Sequence, residues 1–194
     1  MVYIIPSQYT TEEIKNKYNV TYEYIKENFD NCNFISGFWG GVTIDTYRKE
    51  SIDKHFKEMK WFKFYLKIAN MYSELSKDPR TKVGAIIVSN DFGKILSVGY
   101  NGWAKGEPDV PDSLDVGGHG TVHAEFNCMI KLDNKNQYPN SYMFININPC
   151  KVCARGIVNL GMIKTLVYER DYRDTSGLEI LRKAGIKVKK INLI

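Results

Sequence analysis

Apolar residues recur at helical spacing through Trp61, Phe64, Tyr65, Ile68, Ala69, Tyr72 and Leu75, which predicts a long amphipathic helix from about Glu58, ending before Asp78-Pro79. The pattern then shortens. Val83 to Val88 and Ile95 to Tyr100, separated by the turn residues Asp91-Phe92-Gly93, predict a β-hairpin. Asn101 to Gly120 is rich in Gly, Pro and Asp and reads as a loop. Beyond it, helices are expected over about Val122 to Leu132, from about Cys150 and around Leu178 to Ala184. They alternate with strands at Tyr142 to Ile147, Ile163 to Tyr168 and Ile186 to Ile191. A hairpin followed by alternating helix and strand implies an α/β chain, a three-layer α/β/α sandwich on a mixed sheet of about five strands. Gly161 and Gly185 fall where helix C-caps belong.

The residues before this pattern differ in character. Positions 1–57 carry 7 basic and 8 acidic groups, a net charge of −1, so about +6 resides on the remainder. The expected organisation is an extension over 1–57, without an assigned role, and a main domain over 58–194. In the extension, Thr10-Thr11-Glu12-Glu13 has the form of a capping box and Thr21 to Phe29 predicts a second short helix, so a small helical appendage is expected. The pair lacks the third helix and the basic face of a DNA-reading helix-turn-helix; packing on the main domain or on a neighbouring subunit is the expectation. Phe34 to Gly41, aromatic and Gly-rich, reads as a loop folded against the body.

Composition narrows the class. With 43% hydrophobic and 25% charged residues in 194, whole-chain disorder and collagen-like sequence are excluded, and no repeat is visible. No apolar stretch reaches the roughly 18 residues that span a bilayer, and the start MVYIIPSQYTTEEIK has neither a basic end nor a long apolar run, so a cytoplasmic, membrane-free chain is expected. A net charge of +5 suits a phosphorylated ligand without demanding a nucleic acid. In a cytosolic chain the four cysteines, Cys32, Cys128, Cys150 and Cys153, are better used for metal or catalysis than for disulfides.

His123-Ala124-Glu125 begins one predicted helix and Pro149-Cys150-Lys151-Val152-Cys153 the next. At helix N-termini the unpaired N–H groups and the dipole favour thiolate over thiol, the state a metal requires. His123, Cys150 and Cys153 fill three corners of a zinc tetrahedron and leave the fourth for water, whose pKa the ion lowers towards neutrality. Glu125, two residues from His123, is then the proton carrier. The spacing, H-x-E followed by P-C-x-x-C, is the signature of zinc deaminases that act on nucleobases. Two other readings stay open at this level: a closed site in which Cys128 or His119 supplies a fourth ligand, and a redox pair at Cys150 and Cys153. Cys32 and Cys128 otherwise read as core cysteines and His55 as a surface histidine.

From about Trp61 onwards the chain resembles the cytidine and deoxycytidylate deaminase superfamily, its deoxycytidylate branch most of all. Besides the zinc motifs, the similar segments are Ser76 to Ala85, Gly99-Tyr100-Asn101-Gly102, His123 to Asn127 and Asp171-Tyr172-Arg173-Asp174. The resemblance implies one catalytic zinc per chain and hydrolytic deamination of dCMP to dUMP, with Glu125 carrying the water's proton to ring nitrogen 3 and then to the departing amine. It also implies phosphate contacts at Arg80 and Arg173, whose other reading is surface charge. Asn101 is a candidate for the sugar hydroxyl, with Ala124, Asn127 and Tyr172 as further substrate contacts; Asn101 and Asn127 also read as turn or cap residues, and Tyr172 as packing.

A homo-oligomer is implied as well. Ala104 stands where effector-regulated members have a proline, so binding of dCTP or dTTP is left open. Deamination of tRNA or single-stranded DNA is a competing reading, although Asn148 stands where tRNA adenosine deaminases have Glu. A non-catalytic, zinc-stabilised binding module is the other.

Overall fold

In a computed structural model of the chain, the residues described are 2–6, 35–39, 42–113, 115 and 120–193, with side chains from residue 57 onwards except at 135. They fall into two compact units, Met1–Met59 and Lys60–Ile194.

The described part of the first unit contains a three-stranded antiparallel sheet of β1 (Val2–Pro6), β2 (Ile35–Trp39) and β3 (Val42–Arg48), in the order β1-β3-β2. The expected loop at Phe34 to Gly41 is corrected here: Ile35 to Trp39 pairs with β3 from Ile35↔Thr46 to Trp39↔Val42. β-branched and aromatic residues suit a pleated strand, and the Gly40-Gly41 dipeptide between the two strands in sequence is what a two-residue hairpin asks for. The two short helices expected at Thr10 and at Thr21 to Phe29 lie outside the described residues, as do Cys32, His119 and the side chain of His55. Helix α1 (Lys49–Ser73) begins nine residues earlier than its apolar spacing suggests, because Lys49 to Lys57 is charged and weakly periodic yet holds neither Gly nor Pro to stop a helix.

The second unit is built on a five-stranded sheet of β4 (Gly84–Val88), β5 (Ile95–Tyr100), β6 (Ser141–Ile147), β7 (Ile163–Arg170) and β8 (Lys187–Lys190), ordered β5-β4-β6-β7-β8. β5, β4 and β6 run antiparallel to their neighbours and β6, β7 and β8 parallel, as expected of a hairpin followed by crossover helices. Helices α2 (Ala124–Ile130), α3 (Lys151–Leu160) and α4 (Ser176–Lys183) supply the connections.

Period-two alternation divides the core. Ala85, Ile87, Met143, Ile145 and Leu166 pack with Ala124 and Cys128 of α2, Ala154 and Ile157 of α3, and Leu178 and Leu181 of α4. On the other face, Phe62 and Tyr65 of α1 meet Phe144 at ring separations of 5.9 and 5.2 Å. Phe62, Leu66 and Phe144 are almost fully buried, each contributing roughly 1.5–3 kcal/mol. This is the three-layer sandwich. Gly161 at φ 76° and Gly185 at φ 82° follow α3 and α4 in the left-handed conformation of C-caps.

Candidate metal centre and its cavity

Two helix starts meet at the end of the sheet where β5 and β6 have their carboxyl ends. His123 is the N-cap residue of α2, with extended backbone (φ −68°, ψ 150°), and its carbonyl accepts from Asn127 N–H at 3.0 Å. Its position is set from β5. A Cβ at Gly99 would stand 2.4 Å from both Ala124 O and Cys128 N, so only glycine lets α2 approach this closely. Paired bonds between Gly102 and Val122, at 3.1 and 2.8 Å, hold the chain just before His123.

On the other side β6 ends, Pro149 breaks the strand, and Cys150 caps α3, its sulfur accepting from Cys153 N–H at 3.5 Å. His123 Nδ1 lies 3.6 Å from Cys150 Sγ and 3.2 Å from Cys153 Sγ, and the three donor atoms lie within 4.8 Å of one another. Bond lengths of 2.0–2.3 Å about a tetrahedral zinc require nitrogen-to-sulfur separations of about 3.5 Å, so the donor set fits that ion.

Without the ion's charge, the electrostatics divide the two cysteines. Donation from Cys153, aided by His123, holds Cys150 down at about 3, in the thiolate state. The same bond, with burial, holds Cys153 up, and the contact with Cys150 raises His123. Glu125 is 3% exposed, and burial raises its carboxyl above the ordinary range. Cys128 has a different fate: it lies in the core beneath α2, its thiol pushed up to about 12 by burial, and it is not part of the donor group. Among the described residues no fourth protein ligand joins the three.

A cavity of about 240 Å³ opens beside the donor group, lined by His123, Glu125, Cys150, Arg80, Tyr172 and Arg173 among others. Asn101 and Ala124 also line it. Arg173 lies with its guanidinium carbon 5.1 Å from the centre of the Tyr172 ring. Asn127 does not line the cavity; its side-chain amide donates to Tyr100 O at 2.8 Å, tying α2 to the end of β5.

Asp78 and Asn148 are among the lining residues that were not singled out from sequence as site residues. Asp78, 5% exposed, accepts from the N–H groups of Arg80 (2.9 Å) and Thr81 (3.0 Å) and from Asn101 Nδ2 (3.2 Å). An Asx turn at Asp78-Pro79 was the available signal. Asn101 also donates to Thr81 O at 2.8 Å and accepts from Val83 N–H at 2.8 Å, so both its N–H bonds are taken and one acceptor position remains. Asn148 is the second; it precedes Pro149-Cys150, and no sequence pattern predicts its partners.

Residues 59–170 match the family model described as the cytidine and deoxycytidylate deaminase zinc-binding region. The chain is similar to deoxycytidylate deaminase of Homo sapiens, 27% identical over 144 residues, which cover 68% of this chain and 80% of that one. A probable deoxycytidylate deaminase of Caenorhabditis elegans is 30% identical over 153 residues, 73% of each chain. Among solved structures, the dCMP deaminase of cyanophage S-TIM5 in complex with dCMP and dUMP superposes with a TM-score of 0.56 at 30% identity, covering 75% of this chain and all 100% of that one.

Proposed function

The chain belongs to the cytidine and deoxycytidylate deaminase family, and from that membership we propose that it is a zinc-dependent hydrolase converting dCMP to dUMP and ammonia, a supply of dUMP for thymidylate synthesis. The observation that carries this reading is the convergence of one His, two Cys and a buried Glu beside a cavity whose lining also includes two arginines.

His123, Cys150 and Cys153 would hold the zinc, which when bound would supply a water that ionises near neutral pH. Glu125 would take one proton from the attacking water and deliver it to ring nitrogen 3 as carbon 4 becomes tetrahedral, then take the proton of the new hydroxyl on carbon 4 and pass it to the departing amine, leaving the carbonyl of dUMP. A buried carboxyl with raised proton affinity suits both halves of this transfer. Arg80 and Arg173 are assigned to the phosphate, because a guanidinium fork matches its oxygens. Asn101, left with only an acceptor position, suits a sugar hydroxyl, which donates. Tyr172 and Ala124 are assigned to the walls of the site and Asn127 to the support of α2.

Residues 58–194 are proposed as the catalytic unit and 1–57 as an extension to it. A homo-oligomer is proposed with them from the family resemblance, and light scattering tests it. No helix among the described residues is long and apolar enough to cross a membrane, and a cytoplasmic setting is proposed. Whether dCTP or dTTP binds is tested by adding each to the assay.

Zinc-loaded protein is assayed for ammonia release on dCMP, CMP, deoxycytidine, dCTP and a cytosine-containing oligonucleotide. Turnover confined to dCMP supports the reading. Turnover on the oligonucleotide alone moves the chain to nucleic-acid editing, and turnover on none makes it a zinc-stabilised binding module.

A further inference from the structure

Asn148 stands where β6 gives way to the metal-ligand segment, its own N–H donating to Arg170 O at 3.0 Å. Its side chain is buried, at 3% exposure, yet makes no apolar use of that burial. Oδ1 accepts the Tyr172 N–H, and Nδ2 donates to Asp174 O at 3.1 Å. One planar amide therefore grips the backbone on both sides of Arg173. The partners are an N–H and a C=O, so only a side chain carrying an acceptor and a donor at this reach satisfies both: Asp accepts twice, and an apolar residue does neither.

Neighbouring contacts tighten the same junction. A Cβ at Gly177 would lie 2.2 Å from Pro149 O, so the start of α4 rests directly on the segment that carries Cys150. The Asp174 carboxylate accepts from Ser176 N–H at 2.9 Å, and Lys151 Nζ lies 3.9 Å from it. Residues 172–177 are thus seated on residues 148–151, next to the donor group.

We propose that Asn148 is a positioning residue that sets Arg173 at a fixed reach from the metal centre, so that the enzyme measures the distance from the reacting ring to the phosphate and prefers nucleotide to nucleoside. This rests on the reading of Arg173 as a phosphate contact. An arginine side chain is long and entropically expensive to order, so a fork aimed at phosphate gains most from a backbone that is already held.

The test compares Asn148→Ala, Asn148→Asp and Arg173→Ala, with the Asn148→Ala/Arg173→Ala double variant, on dCMP and deoxycytidine, with zinc content and melting temperature recorded for each. For both Asn148 variants, kcat/KM on dCMP is expected to fall about tenfold more than on deoxycytidine, mostly through KM, the scale of a lost buried hydrogen bond. In the double variant, the loss of preference is expected not to exceed that of Arg173→Ala alone. Asn148→Asp keeps an acceptor for the Tyr172 N–H, loses the bond to Asp174 and sets a carboxylate oxygen against that carbonyl, so it disturbs the Asp174 side of the grip alone and carries the comparison if the alanine variant fails to fold. Equal losses on the two substrates would reduce Asn148 to an ordinary structural residue and overturn the proposal. If Arg173→Ala lowers the preference and neither Asn148 variant does, the positioning role alone falls. If Arg173→Ala leaves the preference intact, the phosphate reading of Arg173 falls and takes this proposal with it.

Discussion

His123 Nδ1 lies 3.2 Å from Cys153 Sγ, although the two residues are 30 apart in sequence and belong to different helices. That contact exists because β5 and β6 flank β4 and each delivers the chain to a helix start at the same end of the sheet. Nothing local to either motif produces it.

The shared donor set predicts that metal and fold are linked. Dialysis against a chelator is expected to remove one zinc per chain, abolish deamination and lower the melting temperature, with all three restored by added zinc. Cys153→Ser is expected to reproduce the losses without the rescue, measured by elemental analysis and calorimetry. Retention of zinc by Cys153→Ser would show that the ion is held elsewhere.

Glu125→Gln separates proton transfer from metal binding. The substitution is nearly isosteric, so zinc content and melting are expected to persist while kcat falls by roughly a hundred- to ten-thousand-fold. Stopped assays on dCMP with parallel metal analysis check it, and unaltered turnover would remove Glu125 from the chemistry.

Gly99→Ala tests the seating of α2. The new methyl would collide with the backbone at Ala124 and Cys128, and backbone cannot swing aside as a side chain can. A loss of about 1–3 kcal/mol in stability is expected from overpacking, together with reduced activity, since His123 and Glu125 ride on the displaced helix. Denaturant titration and kcat/KM measure the two effects.

Asp91 predicts a pH dependence remote from the active site. Its carboxylate accepts from Ser89 Oγ at 2.6 Å and from Gly93 N–H at 2.9 Å, and these bonds hold its pKa below the usual carboxylate value. A lowered folded-state pKa stabilises the protein above the unfolded value of about 3.9, and that stability is lost as pH falls through the folded value. Asp91→Ala is therefore expected to melt below the parent chain at pH 7, with the gap closing as pH falls below about 4. A gap independent of pH would assign the effect to turn geometry instead of the charge.

Much of this architecture was legible in the order of residues because its signals are local. Unbroken apolar runs in Ala85 to Val88 and Tyr142 to Ile145 mark strands buried on both faces, and Gly161 marks a helix end by its freedom at positive φ. The spacing of His123, Glu125, Cys150 and Cys153 carries a metal chemistry that few residue combinations support. Less legible were the strand at Ile35–Trp39, whose aromatic and glycine content suits loop and strand alike, and the early start of α1, where charge conceals the helical period.

The sequence by itself determined which residue types stand at the strand ends and helix starts, and so the zinc-deaminase chemistry. Only the tertiary structure decided that Asp78 and Asn101 spend their side chains on each other and on neighbouring backbone, and that Asn148 grips the chain on both sides of Arg173. Hydrogen-bond partners of a buried amide or carboxylate are whatever N–H and C=O groups the packed sheet presents to it. Their distance along the chain bears no relation to their distance in space, so no spacing rule could have announced them.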